Sequence, residues 1–321
     1  MAAAAAAGGE PEVIRDKAAM RAWSRRQRAE GRTVVLVPTM GFLHEGHLSL
    51  VSSAAAAVPG PVALVVSIYV NPSQFAPTED LATYPSDLAG DLRKLASSGA
   101  VHAVFNPPDL YHRGAALSGR RPEALAGAEG PSCLEAGGDG HETWIRVERL
   151  EKGLCGASRP VFFRGVATVV AKLFNVVEPD VAMFGKKDYQ QWRLICRMVR
   201  DLDFAVEIIG SEIVREADGL AMSSRNVHLS PEEREKALSI SRSLVNARTA
   251  ALNNSNSASE HIKDQIVQTL SEAGGRVDYV EIVEQESLVP VETIDRPVVI
   301  CVAAWFGKVR LIDNIEIHIQ S

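Results

Sequence analysis

The sequence predicts an α/β fold: a doubly wound parallel sheet with helices on both faces, followed by a smaller C-terminal α+β domain. Three observations carry this. Short apolar runs alternate with helical patterns over the first part of the chain, and polar, glycine-bearing motifs fall where those runs end. After Asn226 the pattern changes to long helices followed by three strand-like runs.

Thr33 to Val37 reads as a buried strand and Leu48 to Ala57 as the helix after it. Val62 to Val70 is the next strand, Leu88 to Ser98 a helix, and Val101 to Phe105 a further strand. The alternation resumes with a helix over Val166 to Val177, a short strand at Val181 to Phe184, a helix from about Tyr189 to Val199 and a strand near Phe204 to Ile209. Residues 112–141, rich in Gly, Ala, Pro and Glu, have no periodic apolar face and are expected to form a flexible surface insertion. Ser230, Pro231 and Glu233 form a capping box with proline in the first turn, opening a helix to about Leu252. A polar loop, a helix to about Ala273 and strands at Val277 to Val283, Val298 to Trp305 and Val309 to Ile319 complete the chain, with Gly307 and Lys308 at a hairpin turn.

A length of 321 residues predicts two domains, and 46% hydrophobic residues suffice for sizeable cores. A net charge of -6 with a pI near 5.8 argues against nucleic acid as the main partner and favours small substrates. Cys133, Cys155, Cys196 and Cys301 are scattered without C-x-x-C pairs, which suits reduced thiols rather than a disulfide framework or a metal site. No apolar run is long enough for a membrane span. The Ala/Gly tract at the N-terminus has neither transit-peptide nor signal-core character. Residues 1–10 are therefore expected to be a disordered leader, and the protein to be cytoplasmic.

Ligands in such sheets gather at the carboxyl ends of strands. After Val37 come Pro38, Thr39, Met40, Gly41, Phe42, Leu43, His44, Glu45, Gly46 and His47, leading into a helix. Helix N-terminal amides attract phosphate, Gly41 and Gly46 leave room for a nucleotide against the backbone, and His44 and His47 are placed to donate to phosphate oxygens. Zinc fits less well, because the histidines are three residues apart with no third ligand nearby. The strand from Val62 ends in Asn71, Pro72, Ser73, Gln74 and Phe75, suited to a small polar ligand, although an Asn-Pro turn explains Asn71 alone. Gly185, Lys186, Lys187, Asp188 and Gln191 mark a second phosphate-handling junction, where Asp188 holds a ribose hydroxyl or caps the helix. Met222, Ser223, Ser224 and Arg225 suit a loop closing over a polyphosphate. Between Arg159 and Arg200 there are eight Lys or Arg against three Asp or Glu, a cationic field expected to concentrate at the nucleotide.

PTMGFLHEGHLSLV, SIYVNPSQF, RPVFFRGVATVVAKLFN, GKKDYQQ and DGLAMSSRN occur in order at compatible spacing. Together they resemble the pantothenate synthetases, the pantoate and β-alanine ligases, in their plant branch, from about Val34 to Ile319. A lone H-x-G-H would indicate only the wider nucleotidylyltransferase and class I synthetase superfamily. The resemblance implies a Rossmann-like nucleotide-binding domain over residues 11–213 and a C-terminal lid domain over 214–321. It also implies two reactions: pantoate and ATP give an enzyme-bound pantoyl adenylate and pyrophosphate, then β-alanine attacks the acyl carbon to give pantothenate and AMP.

By match to the family, His44 is the proton donor, and His47, Lys187, Ser223, Ser224 and Arg225 steady the triphosphate and transition state. Met40, Gly41 and Gly46 line ATP, and Gly185, Asp188, Val214 and Met222 complete the adenosine pocket. Gln74 and Gln191 hold pantoate, with Asn71 a further neighbour of pantoate or Mg²⁺. Magnesium is expected with ATP, with Asp87 and Asp91 as candidates near it, and the family implies a homodimer. The rival readings are a nucleotidylyltransferase acting on a phosphate ester, a class I aminoacyl-tRNA synthetase and a non-catalytic nucleotide-binding scaffold. The paired glutamines favour a neutral, hydroxylated acid over the first, the absence of a lysine-rich loop disfavours the second, and the intact set of His44, His47, Lys187 and Arg225 disfavours the third.

Overall fold

A computed structural model describes residues 9–76, 79, 81–111, 141–253 and 258–319. The leader expected over 1–10 lies mostly outside the described residues, and so does the insertion expected over 112–141, apart from its last residue.

The first domain is a six-stranded, all-parallel sheet in the order β1-β4-β3-β2-β5-β6. Its strands are β1 (Glu12–Ile14), β2 (Thr33–Thr39), β3 (Val62–Ile68), β4 (Ala103–Phe105), β5 (Val181–Gly185) and β6 (Glu207–Ser211). The helices are α1 (Lys17–Ala29), α2 (Glu45–Ala57), α3 (Leu88–Ser98), α4 (Leu154–Ser158), α5 (Phe162–Val177) and α6 (Tyr189–Asp201). Alternation along β2 sorts them into two layers: Val34 and Leu36 pack in one core with Met20 and Trp23 of α1 and Val166 and Val170 of α5. Val35 and Val37 pack in another with Leu50 and Val51 of α2 and Leu95 of α3. Both faces of the central strands are thus covered, which is why β2 and β3 read as continuous apolar runs.

β2 pairs with β3 on one side and β5 on the other, and the order of connections reverses between β2 and β5. That crevice is the topological switch point of a doubly wound sheet, where ligands bind. The loops after β2, β3 and β5 all open onto it.

The second unit is an antiparallel sheet, β7 (Arg276–Glu284), β8 (Val298–Phe306) and β9 (Val309–Ile317), covered by α7 (Pro231–Asn253) and α8 (Ser259–Glu272). Leu244 of α7 and Ile262 and Ile266 of α8 pack against Ile282, Ile300 and Val302. The expected capping box opens α7: Ser230 N donates to Glu233 Oε2 at 2.8 Å, and Glu233 N donates to Ser230 Oγ at 3.2 Å. Gly307 forms the β8–β9 turn with φ +57°, and a side chain there would also overlap the Glu233 carboxylate.

β1, α1 and α4 were not expected from the sequence. β1 contributes three residues at the sheet edge, and α1 alternates small and charged residues around a few buried anchors.

Candidate active site

The loop after β2 is shaped by a buried carboxylate. Asp91 of α3 accepts Phe42 N at 2.8 Å and Leu43 N at 2.7 Å, holding a turn in which Gly41 has φ +87° and Phe42 φ +51°. Lys94 Nζ donates to Leu43 O at 2.5 Å. A Cβ on Gly41 would sit 3.1 Å from Ile68 Cγ2 and 3.2 Å from Asp91 Oδ2, so glycine serves the backbone turn. Gly46 likewise carries no side chain because a Cβ would lie 2.9 Å from the His44 ring. Gly46 lines the cleft, and Gly41 lies outside its wall. Gly185, by contrast, lines the cleft with open space over its Cα. Asp87 and Asp91 do not face the cleft as magnesium neighbours: Asp87 caps α3 by accepting Gly90 N at 2.9 Å, and Asp91 is committed to the turn.

The two histidines close the N-terminus of α2. His44 Nδ1 accepts Gly46 N at 3.2 Å, and His47 Nδ1 accepts His44 N at 3.3 Å, with ring centroids 4.1 Å apart. An Nδ1 that accepts leaves the proton on Nε2, so both rings are neutral Nε2–H donors. Burial lowers the pKa of His44 to about 4, with Lys187 nearby adding to it. Burial also lowers that of His47 to about 3, with His44 and then Lys187 contributing. The sequence reading placed free helix amides here. Instead the capping box takes up Gly46 N, and His47 N donates to His44 O at 2.8 Å, so the imidazoles carry the outward donors.

The loop after β3 is a turn over Pro72–Gln74 capped by Asn71. Asn71 Nδ2 donates to Gln74 Oε1 at 3.0 Å and to Gly165 O at 3.2 Å, and Gln74 Nε2 points to Met40 Sδ at 3.1 Å. α5 approaches this turn at Gly165, where a Cβ would fall 2.6 Å from Gln74 N. Val166, Val169, Val170 and Leu173 of α5 form the apolar wall of the same cleft. Their i, i+3, i+4, i+7 spacing is a signal the sequence reading did not use.

After β5 the chain makes a turn over Lys186–Asp188 into α6. Lys186 is committed elsewhere, bonding Glu212 at 2.6 Å and Glu316 at 2.8 Å. Lys187 and Gln191 line the cleft, and among the described residues Lys187 makes no hydrogen bond or ion pair through its ammonium. Asp188 precedes α6 without capping it, so its carboxylate is left to the cleft. The second domain holds this turn: Asn314 Nδ2 of β9 donates to Lys186 O at 2.9 Å and Lys187 O at 3.0 Å. Nothing in the local sequence marks Asn314. Part of the expected cationic field is paired, as Arg159 bonds Glu79 and Arg193 meets Glu286.

The boundary loop brings Val214, Met222, Ser223, Ser224 and Arg225 to the same cleft. Asn226 ties it down through Glu216 Oε1 at 2.7 Å and Ala221 O at 3.0 Å, while Arg215 forms a two-pronged pair with Asp313 at 2.7 and 3.0 Å. Of the residues expected to take part in catalysis or in binding ATP, pantoate or β-alanine, all but Gly41 line the cleft, while the magnesium candidates Asp87 and Asp91 stay out of its wall. Tyr84 and Phe162 also line it and were not expected, and Arg159 of the cationic stretch joins them.

Residues 12–316 match the model of the family described as pantoate-beta-alanine ligase. The chain belongs to this family. A pantoate–beta-alanine ligase of Oryza sativa subsp. japonica is 80% identical over 98% of this chain and 100% of its own length. One from Arabidopsis thaliana is 64% identical over 97% and 99%. Among solved structures, a pantothenate synthetase from Thermus thermophilus is similar with a TM-score of 0.80 at 39% identity, over 96% of this chain and 100% of that one. The pantoate-beta-alanine ligase of Francisella tularensis, complexed with beta-gamma ATP and beta-alanine, has a TM-score of 0.67 at 30% identity over 95% and 97%.

Proposed function

We propose that this chain is an ATP-dependent ligase that joins pantoate to β-alanine through an enzyme-bound pantoyl adenylate, releasing pyrophosphate and then AMP. The observation that carries this reading is the composition of one cleft. Two neutral imidazoles and a lysine with no partner among the described residues stand on one part of its wall, and Gln74, Gln191 and the apolar face of α5 stand on another. The relatives' names give the reaction, and the Francisella structure is described as complexed with beta-gamma ATP and beta-alanine, ligands of the kind the cleft would take.

In the first step a pantoate carboxylate oxygen attacks the α-phosphorus and pyrophosphate leaves. His44 and His47 donate Nε2–H bonds to phosphate oxygens as charge builds there, and Lys187 supplies a point charge. His44 acts in this reading as a hydrogen-bond donor, since its lowered pKa keeps the ring neutral at pH 7. Ser223, Ser224 and Arg225 steady the triphosphate, Gly185 leaves space for the nucleoside, and Asp188 accepts from a ribose hydroxyl. Gln74 and Gln191 hold the acid. In the second step the β-alanine amine attacks the acyl carbon, and AMP departs with the carboxylate oxygen. The rate enhancement comes from holding carboxylate and α-phosphate in line and excluding water.

Magnesium suits this site as part of MgATP. Among the described residues no group of three His, Cys, Asp or Glu is built to hold a metal, and the donors facing the cleft suit phosphate oxygens. Phosphate oxygens and water would fill most of the ion's shell, so few protein ligands are needed. The second domain would act as a lid through its polar contacts with the Lys186–Asp188 turn. A homodimer in the cytoplasm is the assembly and location we propose; among the described residues, no helix is long and apolar enough to cross a membrane.

The test is pyrophosphate release from ATP with pantoate alone, followed by AMP release on adding β-alanine. One equivalent of pyrophosphate, then turnover with β-alanine, is expected. Transfer of nucleotide to a phosphate ester, with no response to pantoate, would move the chain to the nucleotidylyltransferases.

A further inference from the structure

The hydrogen bonds behind Gln74 end on Tyr111, which belongs to none of the sequence motifs. Its hydroxyl donates to Asn71 Oδ1 at 2.8 Å and lies 2.7 Å from Ser73 Oγ. Asn71 Oδ1 also accepts Ser73 Oγ at 2.9 Å and Ser73 N at 3.4 Å. On its other side Asn71 Nδ2 donates to Gln74 Oε1 and Gly165 O, at 3.0 and 3.2 Å. The sense of the Asn71 amide is settled by backbone, because Ser73 N–H can only donate and Gly165 C=O can only accept. Gln74 therefore has its oxygen occupied and its Nε2–H group turned to the cleft. There, among the described residues, it meets only Met40 Sδ, a weak acceptor that a substrate oxygen would readily replace.

We infer that Tyr111 is a positioning residue for the acid substrate. Through Asn71 it holds Gln74 donor-outward, so that this part of the cleft selects a hydroxyl or carboxylate oxygen of the substrate. The inference rests on the proposal that Gln74 contacts the acid. Tyr111 is suited to the task because its ring is 5% exposed, with His141 edge-on at 4.9 Å and Lys172 Nζ over it at 5.0 Å. Burial raises its phenol well above the ordinary value, so the O–H donor persists over the working pH range. Without that hydroxyl, Asn71 keeps its backbone partners but loses its shortest bond. Gln74 then gains freedom to turn its carbonyl toward the substrate oxygen, which repels it.

The experiment measures initial rates for Tyr111→Phe, Gln74→Ala and the double variant, with pantoate and ATP varied separately and melting temperatures recorded. Tyr111→Phe is expected to raise the KM for pantoate about tenfold, the worth of one hydrogen bond, and to leave that for ATP unchanged. Added to Gln74→Ala it should do nothing further, because the relay has lost its end. An equal rise for ATP, or additive effects in the double variant, would overturn the relay. Should Tyr111→Phe lower the melting temperature, Asn71→Asp provides the second reading. It is isosteric, places an acceptor where Nδ2 stood, and must give the same pantoate-selective rise; a normal pantoate KM in that variant also overturns the relay. If Gln74→Ala itself leaves the pantoate KM unchanged, the placement of the acid fails first, a distinct result that removes the inference with it.

Discussion

Asp91→Asn separates two roles for one carboxylate. Asp91 is 1% exposed and accepts two backbone amides, Phe42 N at 2.8 Å and Leu43 N at 2.7 Å, in a turn that carries a non-glycine residue at φ +51°. Asparagine keeps one acceptor and turns an NH₂ group against a backbone N–H. Losing one charge-assisted bond and leaving a buried donor unpaired costs about 2–4 kcal/mol. For a chain of this size that lowers the melting temperature by roughly 3–6 °C. The larger effect falls on catalysis, since the same turn delivers His44 and His47 to the cleft. A displacement of about 1 Å at a reacting centre costs on the order of 10²-fold in rate. The assay is thermal denaturation beside initial rates at several magnesium concentrations. A magnesium neighbour would behave oppositely: an unchanged melting temperature, with activity restored by excess Mg²⁺, would refute the anchoring argument.

Gly165→Ala should lose more activity than stability. The helix gains up to about 1 kcal/mol from alanine, but the new Cβ would sit 2.6 Å from Gln74 N and push α5 off the Pro72–Gln74 turn, so the pantoate KM should rise; normal pantoate kinetics would show that the close approach is not needed. Lys187→Ala should abolish adenylate formation with an unchanged circular dichroism spectrum and melting curve, because its ammonium makes no bond within the fold among the described residues. His47 gives a pH prediction. Its folded pKa of about 3 lies below the ordinary 6.5, so the unfolded chain takes up the proton first as pH falls. Stability should therefore be level above pH 7 and decline from about 6.5 toward 3, by up to a few kcal/mol from this group. His47→Asn, which keeps an acceptor for His44 N, should flatten part of that slope in melting curves taken across pH; an unchanged slope would reject the assignment.

The α/β order was legible because β2, β3 and β5 are covered on both faces and carry unbroken apolar runs. β1 escaped notice because three residues at a sheet edge carry no period. The cleft was legible as far as its residues lie in local motifs at strand ends, which brought His44, Gln74, Lys187 and Arg225 together. What positions them was not, because the partners come from distant sequence: Asp91 holds the histidine loop, Gly165 and Tyr111 bond Asn71, which in turn bonds Gln74, and Asn314 holds the lysine turn. The helix-amide expectation failed for a local reason. The N-cap histidine takes up Gly46 N with its ring and His47 N with its backbone oxygen, and its imidazole then offers a donor outward.

The central claim, that a carboxylate attacks the α-phosphorus, is tested most directly with pantoate labelled with ¹⁸O in its carboxylate. Through an acyl adenylate, AMP formed during turnover with ATP and β-alanine carries one labelled oxygen, and pyrophosphate carries none. Label in inorganic phosphate, with ADP as the nucleotide product, would mean attack at the γ-phosphorus and would contradict the account.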